Sequence, residues 1–195
     1  MGLARQIRRL RKGKEVPAAR KRRKALIEPL EPRLLLDADL SFGMTADADD
    51  LTLKLGKVGD VDELQFVNTD TSVILDRLAL SGSKEVEIIG SDQDDVLRLD
   101  FDFDTLLESL SIVFQSGAGD DTLSGPNREN LWDITGAGEG TLNASLSFTG
   151  VENLNGGGEN DTFRFGAGVG ISGSLDGGFG SNTLDYSAYL SGVTV

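Results

Sequence analysis

The chain contains no cysteine and no histidine. That removes disulfides, thiolate nucleophiles, imidazole bases and the usual zinc ligands together. Aromatic residues are sparse, at 6%. No run of about 18 apolar residues occurs, so nothing in the sequence reads as a membrane-spanning helix. The basic N-terminus is not followed by an apolar core of about 7–15 residues, and a standard cleavable signal peptide is a poor reading. Glu28, Pro29, Glu31, Pro32 and Arg33 interrupt the stretch Ala25–Leu36.

What the chain has instead is glycine and segregated charge. Of its 25 glycines, 20 follow residue 80. Residues 1–36 hold 12 Lys/Arg and 3 Asp/Glu, a net of +9. The rest holds 7 Lys/Arg and 29 Asp/Glu, a net of -22. Segments this different do not share one surface. Like charges at the density of Arg5–Lys14 and Arg20–Lys24 oppose compaction. The expectation for residues 1–36 is a disordered or partly helical basic leader, with any helix over Ala18–Ile27 ending at Pro29.

From Leu51 the hydrophobic pattern has period two. Leu51, Leu53 and Leu55 alternate with Thr52 and Lys54, and Val73–Leu75, Val86–Ile89, Val96–Leu99, Phe101–Phe103 and Ser111–Phe114 are further strand-length segments. Gly, Asp, Asn or Ser separates most of them, as strands require. Leu106–Leu110 alternatively reads as a helical turn.

After residue 115 four blocks align without gaps: Gly117–Leu123, Gly136–Leu142, Gly157–Phe163 and Gly178–Leu184. Their starts lie 19, 21 and 21 residues apart, and each opens with Gly and closes with Thr plus an apolar residue. A weaker block, Gly90–Leu97, precedes them. About 20 residues makes one coil of a β-solenoid, with short strands joined by tight corners. Glycine opens a corner because the backbone turns there without a Cβ clash. The closing Leu or Phe stacks on its counterpart in the next coil. The predicted fold is all-β: parallel β-helix or β-solenoid-like repeats preceded by the basic tail. Residues 1–36 form the leader, 37–115 a β-rich lead-in to the solenoid, and 116–195 the Gly/Asp-rich repeats. Ser191–Val195 reads as a strand in progress with no polar cap. The expectation is therefore a natural protein that continues beyond Val195, or a truncated gene product.

Leu30, Glu31, Pro32, Arg33, Leu35 and Leu36 occupy all six specified positions of the LEPR-XLL motif, with a basic run before and acidic β-sequence after. The chain thus resembles the very long LEPR-XLL repeat proteins of Gram-negative bacteria. The resemblance implies a targeting or secretion role for the leader, through contact with secretion machinery. It also implies an extracellular or outer-surface location. The glycine blocks resemble the RTX nonapeptide, whose stacked turns hold calcium between Asp carboxylates and backbone carbonyls. Carried over, Asp121 and Asp161 take the metal-ligand position, and calcium is the one cofactor implied. Ser116, Glu159, Asn182 and Gly140 depart from that pattern, and the blocks are not in tandem. Asp and Asn also favour turns for purely local reasons.

Asp100–Asp104 imitates an EF-hand loop and fails it, because Thr105 replaces the sharp-turn Gly and Ser111 the bidentate Glu. The Asp94/Asp95 pair arises readily in so acidic a chain, so no catalytic residues and no enzyme are expected. The tail lacks interleaved aromatics and the remainder repels phosphate, which argues against nucleic acid. The leading expectation is a secreted or cell-surface structural, adhesin-like repeat protein. Its partner would be a surface ligand, glycan or matrix. One alternative is a calcium-binding RTX-like module that folds on metal. The other is part of a polysaccharide-active β-helix, which requires a groove across several coils.

Overall fold

The computed structural model describes residues 40–46, 49–80, 84–101 and 110–192. The leader, its motif at Leu30–Leu36 and its helix over 18–27 lie outside the described residues. So do most of the Phe101–Phe103 strand, the EF-hand-like stretch and the Leu106–Leu110 turn.

The described part is all-β, with strands in two sheets and no helix among the described residues. In chain order the strands are β1 (Leu40–Gly43), β2 (Asp50–Val58), β3 (Val61–Asn68), β4 (Ile74–Ala79), β5 (Lys84–Ile89), β6 (Val96–Asp100), β7 (Leu110–Gln115) and β8 (Thr122–Ser124). There follow β9 (Leu131–Gly136), β10 (Glu139–Leu142), β11 (Leu146–Thr149), β12 (Asn153–Asn155), β13 (Thr162–Phe165), β14 (Leu175–Asp176) and β15 (Thr183–Asp185). The first sheet runs β1-β5-β7-β11-β10-β9-β13-β15, and the second β14-β12-β8-β6-β2-β3-β4.

Period-two patterning explains why these segments are strands, and the pairing register explains why they stay together. Leu51 lies beside Leu97, Leu97 beside Leu123, Leu123 beside Leu154 and Leu154 beside Leu175, all in parallel register. This leucine column lines the inner face of the second sheet. The first sheet carries Phe42–Ile88–Phe114–Phe148 and Trp132–Phe163–Leu184. A one-residue slip would turn any of these columns outward, so burial locks the register. Trp132 is fully buried and stacks on Phe163 with centroids 5.6 Å apart and 12° between planes. Phe148 meets it edge-on at 6.2 Å.

The sheets are mixed rather than wholly parallel. Two excursions reverse the chain: β2-β3-β4 in the second sheet and β9-β10-β11 in the first. Each reversal has a local cause. Gly59 at φ 62° sits in the two-residue turn between β2 and β3. Asn143 and Ala144, at φ 50° and 54°, form the turn between β10 and β11, where two successive left-handed residues match strand twist. The excursions also upset the even 20-residue spacing. Stacked leucines are 46, 26, 31 and 21 residues apart along the second sheet, so only the last interval matches the predicted coil. The block Gly136–Leu142 is no corner at all: it is the hairpin of β9 and β10.

Replacing Trp132 by Ala should cost about 3–5 kcal/mol, because it empties the junction of the two first-sheet columns, where Trp132 packs on Phe163 and Phe148. Leu131→Ala, on the exposed face of the same strand, should cost under about 1 kcal/mol. Urea unfolding of the two variants checks the pair, and equal losses would contradict this placement of the core.

Candidate functional site

Five connections between the sheets are six residues long and end in Asp or Asn. They are Gly90–Asp95 and Ser116–Asp121, which lead into the second sheet, and Gly125–Asn130, Gly156–Asp161 and Gly177–Asn182, which lead into the first. Gly117 at φ 102° approaches the Ser91 carbonyl so closely that an added Cβ would sit 2.2 Å from its oxygen. Gly178 at φ 71° meets Gly157 oxygen at 2.1 Å in the same sense. Corner therefore stacks on corner with backbone against backbone, and only glycine fits there.

The last residues of these corners are linked to one another and to Glu152 by side chain-to-backbone hydrogen bonds. Asp121 Oδ1 accepts a hydrogen bond from the Asp95 N–H at 2.8 Å, and Glu152 Oε2 accepts one from the Asp121 N–H at 3.0 Å. On the other side, Asp161 Oδ1 accepts from the Asn130 N–H at 2.9 Å and Asn182 Oδ1 from the Asp161 N–H at 2.8 Å. These side chains satisfy backbone donors that strand pairing leaves over at the corner. An outer rung adds Asp94 Oδ1 accepting from Asp120 N–H and Asn160 Oδ1 from Ser181 N–H. Both members of the Asp94/Asp95 pair are thus occupied, since Asp95 also accepts from the Ser91 N–H and hydroxyl.

Asp121 and Asp161, the two sequence-derived metal-ligand candidates, lie in different ladders and are not brought together. Both are buried, at 0% and 1% exposure, and in each the second oxygen, Oδ2, has no hydrogen-bond partner. Burial pushes the Asp161 carboxyl up to about 6, against hydrogen bonds from Asn130 that favour the ionised form. Burial likewise raises Asp95, helped by the nearby charges of Asp121 and Asp49. Calcium takes about 6–8 oxygen ligands. No group of three or more Asp, Glu, His or Cys side chains placed to hold a metal occurs among the described residues. The orphaned Oδ2 atoms fit a cation; the surrounding donor set is thin in charge.

Sequence reading missed Asn130 and its corner, because Pro126-Asn-Arg-Glu hides the glycine pattern. The carboxamide Nδ2 of Asn130 donates to the carbonyls of Pro126, Arg128 and Gly156, at 2.9, 2.8 and 2.9 Å. The signal that could have found it is Asn130-Leu-Trp132, an Asx followed two positions on by a large apolar residue. Asp161-Thr-Phe163 and Asn182-Thr-Leu184 share that spacing.

The outer face of the second sheet carries an open groove of about 710 Å³. Its floor is one in-register row, Thr52–Arg98–Ser124–Asn155–Asp176, crossing five parallel strands. Arg98 is held by a two-pronged ion pair to Asp50, at 3.2 and 3.1 Å, and Lys54 pairs with Asp100 at 3.3 Å. Phe179, 83% exposed, stands at one end. Charges lining the groove are balanced, Lys54 and Arg98 against Asp100 and Asp176, unlike the acidic sequence after residue 36 as a whole.

Comparison with protein-family models, curated proteins and solved structures finds no match for this chain.

Asp161 gives a pH prediction. Between about 3.8 and about 6 the folded chain holds the proton that the unfolded chain has lost, so stability falls as pH rises through that window and levels off above it. Asp161→Asn keeps the oxygen that Asn130 uses and puts an N–H₂ where Oδ2 is orphaned. The variant should lose this pH slope and be more stable at pH 7.5 by about 1–3 kcal/mol. Chemical unfolding at pH 4 and pH 7.5 measures both effects. A loss of stability at pH 7.5 would instead mean that the carboxylate charge is in use.

Proposed function

We infer that the chain is a section of a β-solenoid-like scaffold, a secreted or cell-surface structural protein of adhesin type without catalysis. One observation carries the reading: strands alternate between two sheets while their corners stack through side chain-to-backbone ladders. A fold built this way gains length by adding coils, each needing contact only with its neighbours. The two hairpin excursions are then insertions between coils. The Leu30–Leu36 motif supports an outer location through its resemblance to proteins of that kind, with the basic leader engaging secretion machinery.

The partner proposed is an extended neutral glycan or matrix strand lying along the groove. Its polar row and balanced ion pairs suit hydroxyl recognition, and exposed Phe179 offers an apolar platform. The same groove is the feature that the polysaccharide-active alternative requires. Of its carboxylates, Asp100 pairs with Lys54 and Asp176 Oδ1 accepts from the Gly178 N–H, while Asp50 beside the groove holds Arg98, which favours binding over bond cleavage.

Location is tested by probing intact and permeabilised cells of the producing bacterium with an antibody to residues 110–192. Signal on intact cells or in the medium is expected; signal only after permeabilisation would sink the surface reading.

A second reading, metal-linked folding, is favoured by the unpartnered Oδ2 atoms of Asp121 and Asp161. Calcium bound there would be held by these carboxylates with corner carbonyls and would neutralise buried charge. Far-UV circular dichroism in chelator, then in millimolar calcium, separates the two. The scaffold reading expects full β signal in chelator. A β signal appearing only with calcium would transfer the argument to the metal-binding module.

A further inference from the structure

We propose, building on the reading of the second-sheet groove as a neutral-glycan site, that the groove selects a straight, β-linked hexopyranose chain. The chain lies across the strands, one sugar ring per strand, and Arg98, Ser124 and Asn155 are the residues that set this specificity.

The spacing of the row selects the linkage. Arg98, Ser124 and Asn155 stand in register on β6, β8 and β12. All three strands are interior to the sheet, so the row depends on no sheet edge. Neighbouring strands lie about 4.8 Å apart. A hexopyranose chain joined through equatorial bonds at opposite corners of each ring runs straight and advances by nearly that distance per ring. An axial linkage turns the chain away from the floor within a ring or two. An extended peptide also runs straight, but its side chains return to one face only at intervals of about 6.8 Å, two residues of about 3.4 Å each. The peptide is out of step by the second strand, whereas the glycan stays in step across all three.

The unfilled hydrogen-bonding groups agree with that choice. Arg98 donates Nε and Nη2 to Asp50, which leaves Nη1 over. Asn155 Oδ1 accepts from the Gly157 N–H, which leaves Nδ2 over. Between them the Ser124 hydroxyl lines the groove without a partner among the described residues, although Ser124 is only 8% exposed. A hydroxyl can both donate and accept, and burying it unpaired carries a cost that a ligand hydroxyl removes. The row therefore runs N–H donor, hydroxyl, N–H donor. A chain linked as described turns each ring over relative to the last, so rings two apart show the same edge. Arg98 and Asn155, two strands apart, meet like edges, and Ser124 meets the opposite edge between them. Lys54 and Arg98 balance Asp100 and Asp176, so a chain carrying carboxylates or sulfates gains nothing over a neutral one.

The test titrates the full chain, by calorimetry, with three soluble oligosaccharides. Cellohexaose and chitohexaose are β-linked; maltohexaose is the α-linked control. At least one β-linked chain should bind about tenfold more tightly than maltohexaose. Ser124→Ala should weaken that binding about fivefold, as the loss of one hydrogen bond does. The same variant should keep its urea midpoint or raise it, because the hydroxyl it removes has no partner in the free protein. Equal binding of α- and β-linked chains, or unchanged affinity in Ser124→Ala, overturns the proposal while the glycan reading of the groove stands. Binding of none of the three at millimolar sugar overturns the glycan reading and the proposal with it.

Discussion

Everything in this structure hangs on how the backbone donors at the corners are satisfied. Strand pairing serves the N–H groups within β6, β8, β9 and β13, but the residue just before each of these strands turns its N–H to a side chain instead. A buried unpaired N–H is expensive. The chain meets that cost with a carboxyl or carboxamide oxygen from a segment 21 to 31 residues further on, from Asp121, Glu152, Asp161 and Asn182. The bond fixes axial register at the corner, and the leucine and aromatic columns fix it in the strands. With both in place the corners stack closely enough that only glycine fits at Gly117 and Gly178.

The use of Asp rather than Asn in some rungs is where structure and chemistry pull apart. Asn130 occupies its corner fully, accepting from Asn143 and donating to three carbonyls. Asp161 keeps the accepting half of that role but cannot donate when ionised, so its second oxygen is stranded and its affinity for a proton rises. A purely structural ladder has no need of this charge. The Asp161 rung therefore answers to pH, and the asparagine rungs above and below it do not.

The repeat was legible in sequence at the corners and illegible between them. Gly117, Gly157 and Gly178 open corners for the reason their spacing suggests, close approach at positive φ. Gly136 fits the same alignment and does something else, because Gly136–Glu139 closes an antiparallel hairpin. A short Gly-rich string is compatible with both, and only neighbouring strands choose between them. The Gly125–Asn130 corner shows the converse. Its sequence lacks the expected glycines, yet Asn130 closes it as Asp161 closes the next.

What the sequence by itself determined is local: period-two strands, turns at glycine and Asx, a charge split between the first 36 residues and the rest, and an all-β chain. Those follow from side-chain alternation and backbone sterics, which act over a few residues. Which strand lies beside which was decided only by tertiary structure. Leu51 meets Leu97 across 46 residues and Leu154 meets Leu175 across 21, and both contacts belong to one column. Register of that kind is set by burial and by hydrogen bonds between strands distant in sequence, and no periodicity along the chain encodes it. The split of Asp121 and Asp161 into separate ladders, and the row from Thr52 to Asp176, arise from the same long-range pairing.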